Sequence, residues 1–317
     1  MKLMLIGSSG FIGTNLVNFF LKKNIFSDIL CIDKCDPKDI SHNSIFKKIN
    51  VLDESNMSDI VDKFLPTHII YLSARTDLNG KTLKDYEFNF KGVETLLKIT
   101  SFIPDLKIIF FSSMLASIKL QNRFSKKSPN VIYGRSKFLG EELINKCSSR
   151  ANFVILRPTS IWGPWFGSPY KDFFIYIKRG IYFNFSNLST FKSFGYIETV
   201  CRQTETAMFD SKYQKGIWYV GNSKPINIKE FSNKISIEMN CKKIKEFHSF
   251  IFFKMALFGE LLNLFKINFP MRLSRYKNIK DPIIIEDNLF VSDKIEEDYD
   301  AAIKDTVRWL NRQEIHD

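Results

Sequence analysis

The segment from Gly7 to Gly13 constrains the fold of this chain more than any other part of the sequence. It places Gly7 and Gly10 between a short apolar run and a helix-like segment that starts at Phe11, and Gly13 in the first turn of that segment. Glycines in this position permit a tight turn, a close approach of the backbone to a pyrophosphate, and close packing of the helix on the strand. The N-terminus of the helix then offers N–H groups and a partial positive charge to phosphates. The segment therefore predicts a dinucleotide-binding turn.

Short apolar runs alternate with helix-like segments through the first half of the chain. The predicted strands are Lys2–Ile6, Asp28–Ile32, Phe46–Val51, His68–Leu72, Leu106–Ser112 and Phe153–Leu156. The predicted helices are Phe11–Lys23, Met57–Phe64, Leu83–Phe102 and Tyr133–Cys147. This alternation favours a parallel sheet with helices on both faces. Because crossover connections are right-handed, a doubly wound α/β sheet is the leading architecture.

The alternation ends after residue 158. The segment Trp162–Tyr170 is rich in Gly, Pro and aromatic residues and predicts a loop, whose rings either stack on a ligand or pack in a core. Gly195–Ala207 and Gly216–Val220 are predicted to return to the sheet, and the irregular remainder suggests a smaller mixed domain that caps the ligand cleft. We therefore expect a dinucleotide-binding domain at 1–165 with a return at 190–221, and a substrate domain formed by 222–317 with 166–189.

Composition narrows the functional classes. The net charge of +12 comes from 46 basic and 34 acidic residues that are scattered rather than striped, which favours a solvated surface over a nucleic-acid site. The five cysteines form neither a paired framework nor a metal-ligand spacing, so we expect no metal and a reducing compartment. The opening run Met1–Ile6 is too short for a secretory signal. These features predict a cytoplasmic protein.

Asp33 ends the second predicted strand, 20 residues beyond Gly13. A carboxylate at this point can accept hydrogen bonds from both hydroxyls of an adenosine ribose and repels a 2′-phosphate, so we expect NAD as the cofactor. The neighbouring cation Lys34 leaves NADP open, because it can tolerate that phosphate.

Tyr133 and Lys137 are four residues apart in a segment that we expect to begin a helix, so the phenol and the ammonium share one face. A neighbouring ammonium lowers the pKa of a phenol, which then serves as an acid/base near neutral pH, and it can also hold a ribose hydroxyl of the cofactor. Ser112 and Ser113 end the fifth predicted strand, 20 residues before Tyr133. Parallel sheets bind ligands at the carboxyl ends of their strands, so this hydroxyl can bond the same substrate oxygen as Tyr133.

Further motifs complete a pattern that resembles a known family. The matching segments are Gly7–Gly13, Asp33, Asn89–Gly92, Phe111–Ser113, Tyr133–Lys137 and Arg157–Pro164, with later echoes at 192–197, 219–221 and 306–310. The chain is similar to the NAD-dependent epimerase/dehydratase family, the extended short-chain dehydrogenases that include UDP-galactose 4-epimerase. The resemblance spans most of the chain and implies a Rossmann domain followed by a substrate domain. It also implies a homodimer that acts on a nucleotide-linked or lipid-diphosphate-linked sugar.

The resemblance implies catalytic roles at matching positions. Tyr133 would be the acid/base and Lys137 its partner, and both would also contact the cofactor. Ser113 would be the hydroxyl that polarises the substrate, with Ser112 beside it.

The resemblance also implies a cofactor site. Its residues would be Gly7, Gly10, Phe11, Ile12, Gly13, Asp33, Leu72, Ser73, Ala74 and Pro158, with Pro158 at the nicotinamide. Asn50 and Val51 would lie near the adenine, where many relatives carry Asp. Asn89, counted with this set, would support the helix that carries it.

One departure from the family bears on the reaction. Relatives that dehydrate sugars carry an Asp-Glu pair directly after the strand-five hydroxyl, whereas this chain has Met114 and Leu115, which cannot move protons. Dehydration is therefore disfavoured. Epimerisation is favoured, NAD(P)H-dependent reduction of a ketosugar is the alternative, and a non-catalytic nucleotide-binding protein is the third reading.

Two features of the second half stay open at this point. Lys192, Arg272 and Arg275 either clamp a substrate diphosphate or lie on a solvated surface, and the resemblance favours Lys192 as a phosphate-binding cation. The strongly apolar segment Phe247–Phe269 either packs as a helix against the substrate domain or lies at a membrane interface. The second option would add peripheral contact with the inner face of a membrane.

Overall fold

The segment Gly7–Gly13, which we call the glycine turn, follows the first strand of a parallel sheet in the computed structural model. The structure describes residues 1–126, 128–147, 152–213, 215–265, 267, 269, 272–290 and 298–313, without the side chains of residues 274 and 275. The strands are β1 (Lys2–Ile6), β2 (Asp28–Asp33), β3 (Phe46–Lys48), β4 (His68–Tyr71), β5 (Lys107–Phe111), β6 (Asn152–Pro158), β7 (Ser160–Trp162), β8 (Phe183–Phe185), β9 (Phe191–Lys192), β10 (Phe194–Tyr196), β11 (Gly216–Val220), β12 (Ile226–Asn227) and β13 (Lys245–Phe247). The α-helices are α1 (Phe11–Lys23), α2 (Glu54–Phe64), α3 (Phe88–Ile99), α4 (Ile118–Gln121), α5 (Pro129–Cys147), α6 (Tyr170–Lys178), α7 (Ile197–Phe209), α8 (Ile228–Glu238), α9 (Ser249–Leu264), α10 (Leu273–Lys280) and α11 (Tyr299–Gln313).

The chain divides into two compact units. The first, which we call the sheet unit, comprises Met1–Thr159, Ile197–Gly221 and Asp287–Glu296. The second, the mixed unit, comprises Ser160–Tyr196, Asn222–Glu286 and Glu297–Asp317.

The sheet unit is built on seven strands in the order β3-β2-β1-β4-β5-β6-β11, and each neighbouring pair is parallel. Leu3 of β1 pairs with Ile29 of β2 on one side and with His68 of β4 on the other. The chain therefore runs outward from β1 to β3, then crosses to β4 and runs outward again. Sheets of this order bind ligands at the carboxyl ends of the strands beside that crossing. The predicted doubly wound α/β sheet is confirmed.

The central strands are apolar on both faces because helices cover both sides of the sheet. Leu3, Met4 and Leu5 are fully buried in β1. Met4 belongs to a core cluster that also includes Met57 of α2 and Leu96 of α3. This packing fixes the strand ends from which the candidate site is built.

Three elements differ from the sequence predictions. Gly195–Ala207 was expected to return to the sheet, yet after Tyr196 it forms α7, a helix of the sheet unit. Helix α5 begins at Pro129 rather than Tyr133, since proline is favourable in the first turn, where its missing N–H costs nothing. The helix expected over 83–102 is divided in two: Thr82 and Asp85 form a capping box at the start of a short 3₁₀ turn, Leu83–Tyr86, and α3 begins only at Phe88.

The mixed unit combines three short strand pairs with helices. Strands β7 and β10 are parallel, as are β8 and β13, whereas β9 and β12 are antiparallel. Trp162 of β7 is buried, with its ring 4.9 Å from that of Phe231 and 5.9 Å from that of Phe174. Phe166 also packs on Phe174. These two aromatic residues of the 162–170 segment therefore serve the core.

Candidate active site

The glycine turn has the geometry that close approach requires. Gly7 has a φ of +90°, and a Cβ there would lie 2.6 Å from the Ser73 backbone nitrogen. A Cβ on Gly13 would overlap the carbonyl oxygen of Gly7 and the backbone of Ser8. Side chains are thus excluded where the turn meets the end of β4 and where α1 starts. Gly10 caps α1, whose first turn, 11–13, directs its N–H groups out of the helix end.

Asp33 lies beside this turn at the end of β2. Its carboxylate accepts hydrogen bonds from the backbone N–H of Ser9 at 3.0 Å and of Cys35 at 3.1 Å. The carboxylate is thereby held at the tip of β2 with lone pairs left for a ligand. The ammonium of Lys34 lies 4.8 Å from the ring centre of Phe88, a cation–π contact.

Two further predicted cofactor residues follow β3. Val51 is buried, and a Cβ on Gly92 of α3 would lie 3.0 Å from its Cγ1. Asn50 is exposed, and its side-chain oxygen accepts a hydrogen bond from the N–H of Leu52 at 3.1 Å. Of this pair, Asn50 is therefore the one whose side chain a ligand can reach.

The segment after β4 contains Leu72, Ser73 and Ala74, all half-buried. Asn89 of α3 holds the residue that follows them: its oxygen accepts from the Arg75 N–H at 2.7 Å, and its amide donates to the Arg75 carbonyl at 3.1 Å. The same amide donates to the Ser136 hydroxyl at 2.9 Å. Asn89 is buried, so it joins the strand-end segment to α5 and supports the site from behind.

Ser112 and Ser113 follow β5, and the ammonium of Lys137 is anchored next to them. The Lys137 Nζ donates to the carbonyl oxygen of Phe111, the last residue of β5, at 2.7 Å. Tyr133, one turn earlier in α5, is buried, and its ring meets that of Tyr86 edge-on at 5.9 Å. Helix α5 thus brings the Lys137 ammonium to the carboxyl end of β5, with Tyr133 one turn earlier on the same helix.

Gly134 explains how closely α5 approaches the turn that Ser113 starts. A Cβ at position 134 would collide with the carbonyl oxygen of Leu115. The Ser113 Oγ accepts from the Leu115 N–H at 3.2 Å, which orients this turn. Acting as an acceptor, the hydroxyl keeps its own proton for a further bond. The segments that carry Ser113 and Tyr133 are therefore in direct contact.

Sequence reasoning missed a buried group of polar side chains behind the lysine. Glu141, one turn beyond Lys137, accepts from Arg157 at 2.9 Å (Nε to Oε1) and 2.6 Å (Nη2 to Oε2). The Ser112 hydroxyl donates to the Glu141 Oε1 at 2.5 Å, and the Arg157 Nη1 donates to the Tyr219 hydroxyl at 2.9 Å. The four-residue spacing of Tyr133, Lys137 and Glu141 was the available signal, because it puts all three on one helix face.

These surroundings set the charge state of Lys137. Burial lowers the pKa of Lys137 to about 8, and the Glu141 carboxylate opposes that shift. A small cavity beside the ammonium is lined by Tyr71, Asn89, Ser112 and Glu141, among others. Burial raises the pKa of Tyr71, so its phenol stays neutral there.

The mixed unit holds the predicted phosphate-binding cations. The Lys192 Nζ donates to the carbonyl oxygen of Asn278 in α10 at 2.5 Å. Arg272 immediately precedes α10, and its Nη2 lies 3.6 Å from the Glu260 carboxylate. Lys192 and Arg272 thus both border α10. The side chain of Arg275 lies outside the described part of the structure.

The remaining strand-end residue is Pro158, which is buried at the end of β6. Comparison with known families matches residues 3–191 to the model of the NAD dependent epimerase/dehydratase family, which is more than half of the chain. The chain belongs to that family. The match includes the glycine turn, Asp33, both serines, Tyr133 and Lys137.

Two curated family relatives match part of the chain. GDP-6-deoxy-D-talose 4-dehydrogenase of Aggregatibacter actinomycetemcomitans is 24% identical over 170 residues, which are 51% of this chain and 54% of that protein. The dTDP-D-glucose 4,6-dehydratase of Dictyostelium discoideum is 27% identical over 192 residues, 51% of this chain and 44% of that protein. The chain spans about half the length of the curated relatives it matches.

Solved structures match over the whole length. The UDP-glucose 4-epimerase of Thermotoga maritima, solved with UDP-glucose, has a TM-score of 0.73 at 17% identity, covering 99% of each chain. This likeness concerns the fold.

The dinucleotide that gives the family its name fits the residues present. Gly7 and Gly13 leave no room for side chains in the turn, and the N–H groups of α1 point out of its end. Asp33 stands beside them as a fixed acceptor. Among the described residues, no cluster of His, Cys, Asp and Glu is suited to holding a metal ion.

Proposed function

We propose that this protein is an NAD-dependent epimerase that inverts C4 of a nucleotide-linked or diphosphate-linked sugar by transient oxidation and re-reduction. The observation that carries the proposal is the Lys137 ammonium on the Phe111 carbonyl, directly before the two serines and one helical turn from Tyr133. The names of the relatives above all refer to chemistry at position 4 of the sugar.

The glycine turn and Asp33 would hold NAD, which would supply the hydride acceptor and donor for the sugar carbon. Tyr133 takes the proton of the sugar hydroxyl during oxidation and gives it back during reduction. Lys137 stabilises the phenolate by its charge and can hold a ribose hydroxyl. The Ser113 hydroxyl donates a hydrogen bond to the same sugar oxygen, and Ser112 holds Glu141 beside the lysine. Inversion follows when the ketosugar is reduced on its other face.

Epimerisation is favoured over dehydration by the residues after Ser113. Dehydration needs groups that remove the C5 proton and protonate the leaving oxygen. Met114 and Leu115 occupy the turn that begins there, and neither can transfer a proton.

A second candidate is an NAD(P)H-dependent ketosugar reductase. The relative named as a 4-dehydrogenase favours it, because that name describes a net redox reaction. The reductase consumes NAD(P)H with each turnover, whereas the epimerase regenerates its bound NAD.

Lys192 and Arg272 are proposed to bind the diphosphate of the substrate. The Lys192 ammonium is anchored by the Asn278 carbonyl oxygen, and an ammonium can make charge-assisted hydrogen bonds to phosphate oxygens. We expect Lys192→Met to raise KM for a diphosphate sugar more than it lowers kcat. We also propose a homodimer, which sedimentation velocity tests.

The experiment that tests the function starts from protein purified without added nucleotide. Acid release followed by chromatography is expected to yield bound NAD. A panel of UDP-, dTDP- and GDP-sugars, without added cofactor and in deuterated water, is expected to give C4 epimers that carry no deuterium, since the hydride returns from NAD. Reduction of the corresponding 4-ketosugars with supplied NAD(P)H, without epimerisation of the sugar panel, would replace the epimerase with the reductase. Absence of bound NAD together with absence of either reaction would refute both.

A further inference from the structure

Helix α9 of the mixed unit buries a narrow stripe. Ser249, Phe252, Ala256 and Gly259 are buried and share one side of the helix. Phe252 and Ala256 form a small core cluster with Phe185 and Tyr276. The small residues Ala256 and Gly259 suit close packing. This side of α9 is therefore fully explained by the fold.

The opposite side of α9 is exposed and apolar. The exposed side of a helix in solution ordinarily carries polar residues. We call it the apolar face; its residues are Phe250, Leu257, Phe258, Leu261, Leu264 and Phe265. Leu264 is 76% exposed and Phe265 70% exposed. The residues of the apolar face recur at intervals of three, four or seven positions, so they lie on one side of the helix and form one continuous surface. Contiguous exposed apolar surfaces of this kind mark interaction sites.

No carboxylate of α9 lies on the apolar face. Lys254 lies on the apolar face, and its Nζ is 4.8 Å from the centre of the Phe250 ring. A lysine can lay its aliphatic stem along apolar surface and keep its ammonium in a polar layer. Glu260, the one carboxylate of α9, accepts from the Leu273 N–H at 3.1 Å and faces Arg272.

The sequence around α9 is strongly basic. Residues 242–281 contain nine lysines and arginines against three acidic residues, a net +6 that is half of the charge of the chain. Exposed lysines in this stretch include Lys242, Lys243 and Lys245 before α9, and Lys277 and Lys280 in α10. An apolar helix face flanked by lysines is complementary to a layer of anionic headgroups over hydrocarbon.

We propose that the apolar face of α9 docks on the surface of an anionic phospholipid bilayer, with the flanking lysines on the headgroups. This interaction goes beyond the proposed function and does not depend on it. Among the described residues no helix is long and apolar enough to cross a membrane. Helix α9 has 16 residues, fewer than the roughly 20 that span a bilayer, and the proposal therefore places it along the surface. A second copy of the chain is a poorer occupant, because it would bring another +6 segment against this one.

Cosedimentation of the full chain with lipid vesicles tests the proposal. At low salt the protein is expected to pellet with vesicles containing phosphatidylglycerol and to remain in solution with pure phosphatidylcholine. Binding is expected to fall at least about tenfold as salt rises from about 50 to about 500 mM, because screening weakens headgroup attraction. No pelleting on anionic vesicles at low salt, or equal pelleting on both, would overturn the proposal.

Two variants locate the surface. Leu261→Gln with Leu264→Gln is expected to reduce vesicle binding at least about tenfold, since it removes apolar area from α9. The matched control is Ile40→Gln with Ile237→Gln, because those isoleucines are 81% and 75% exposed elsewhere in the chain. Circular dichroism checks that both variants fold. Equal vesicle binding by the two variants would show that α9 is not the surface that contacts the bilayer. If the unsubstituted protein does not bind vesicles and only the α9 variant loses its dimer, the apolar face would be assigned to a second copy of the chain.

Discussion

Glu141 and Arg157 form a two-point ion pair behind the candidate catalytic lysine, with Nε–Oε1 at 2.9 Å and Nη2–Oε2 at 2.6 Å. Only 2% of the Glu141 side chain and 12% of the Arg157 side chain are exposed. The pair joins α5 to β6, and its carboxylate also receives the Ser112 hydroxyl. It therefore ties the helix that carries Tyr133 and Lys137 to the strands whose ends form the site.

Removing this carboxylate is expected to destabilise the sheet unit. Glu141→Gln leaves the Arg157 guanidinium buried without its counter-charge, so we expect a loss of roughly 3 kcal/mol in the free energy of unfolding. Urea denaturation measures it. The control is Glu198→Gln, which removes a carboxylate paired at 2.6 Å with exposed Arg202 and should cost about 0–1 kcal/mol. Equal losses in the two variants would contradict the structural role of the buried pair.

The rate is expected to depend on pH through Lys137. Burial lowers the pKa of Lys137 to about 8, so the ammonium predominates below that pH and is lost above it. Turnover is therefore expected to fall as pH rises through about 8. Glu141→Gln removes the charge that favours the ammonium, so the fall should move to lower pH. A profile of kcat from about pH 6 to about pH 10 measures both effects; a fall that moves upward in the variant would contradict them.

Helix α5 is expected to tolerate a methyl group at Gly140 but not at Gly134. A Cβ at position 134 collides with the Leu115 carbonyl oxygen, whereas at position 140 the nearest atom is the Val93 Cγ2 at 3.4 Å. Gly134→Ala should cost about 1–3 kcal/mol of stability by overpacking and should lower turnover, because it pushes Tyr133 from the Ser113 turn. Thermal unfolding and steady-state kinetics compare it with Gly140→Ala. A Gly134→Ala protein as active and stable as the Gly140→Ala protein would refute this account of the contact.

Asp33 is expected to select NAD. Asp33→Asn keeps the shape of the side chain but removes the carboxylate charge, which strengthens hydrogen bonds from the ribose hydroxyls and repels a 2′-phosphate. The affinity for NAD should therefore fall roughly tenfold, and the ratio of NADP affinity to NAD affinity should rise. Calorimetric titration of nucleotide-free protein with each dinucleotide measures the change. Asp36→Asn, at an exposed aspartate paired with Lys48, serves as the control. An unchanged preference in Asp33→Asn would place the ribose elsewhere.

The sequence predicted the sheet well because its signals are local. Strand β1, helix α1 and the glycines between them are specified within 23 residues, and the structure gives α1 the predicted bounds, Phe11–Lys23. The fully apolar strands of a sheet covered on both faces also stand out without tertiary information. Gly195–Ala207 was predicted wrongly, because it continues from a strand of one unit into a helix of the other and gives no local sign of the change.

The candidate site was predictable in its motifs and unpredictable in its supports. Tyr133 and Lys137 share a helix, so their spacing alone places them together. The Glu141–Arg157 pair joins residues 16 apart on different elements, and the Asn89–Ser136 bond joins residues 47 apart. Such contacts depend on how the helices pack, which no local pattern encodes. For the same reason the exposed side of α9 could be judged only once its buried side was known.

Turnover by Tyr133→Phe tests the central claim most directly. The variant keeps the ring that packs against Tyr86 and loses only the hydroxyl that would move the proton. We expect kcat for C4 epimerisation to fall by roughly a hundredfold to ten-thousandfold, with bound NAD unchanged, while Tyr176→Phe at an exposed tyrosine keeps full activity. Activity of Tyr133→Phe comparable to that of the Tyr176→Phe control would contradict the assignment of this phenol as the acid/base.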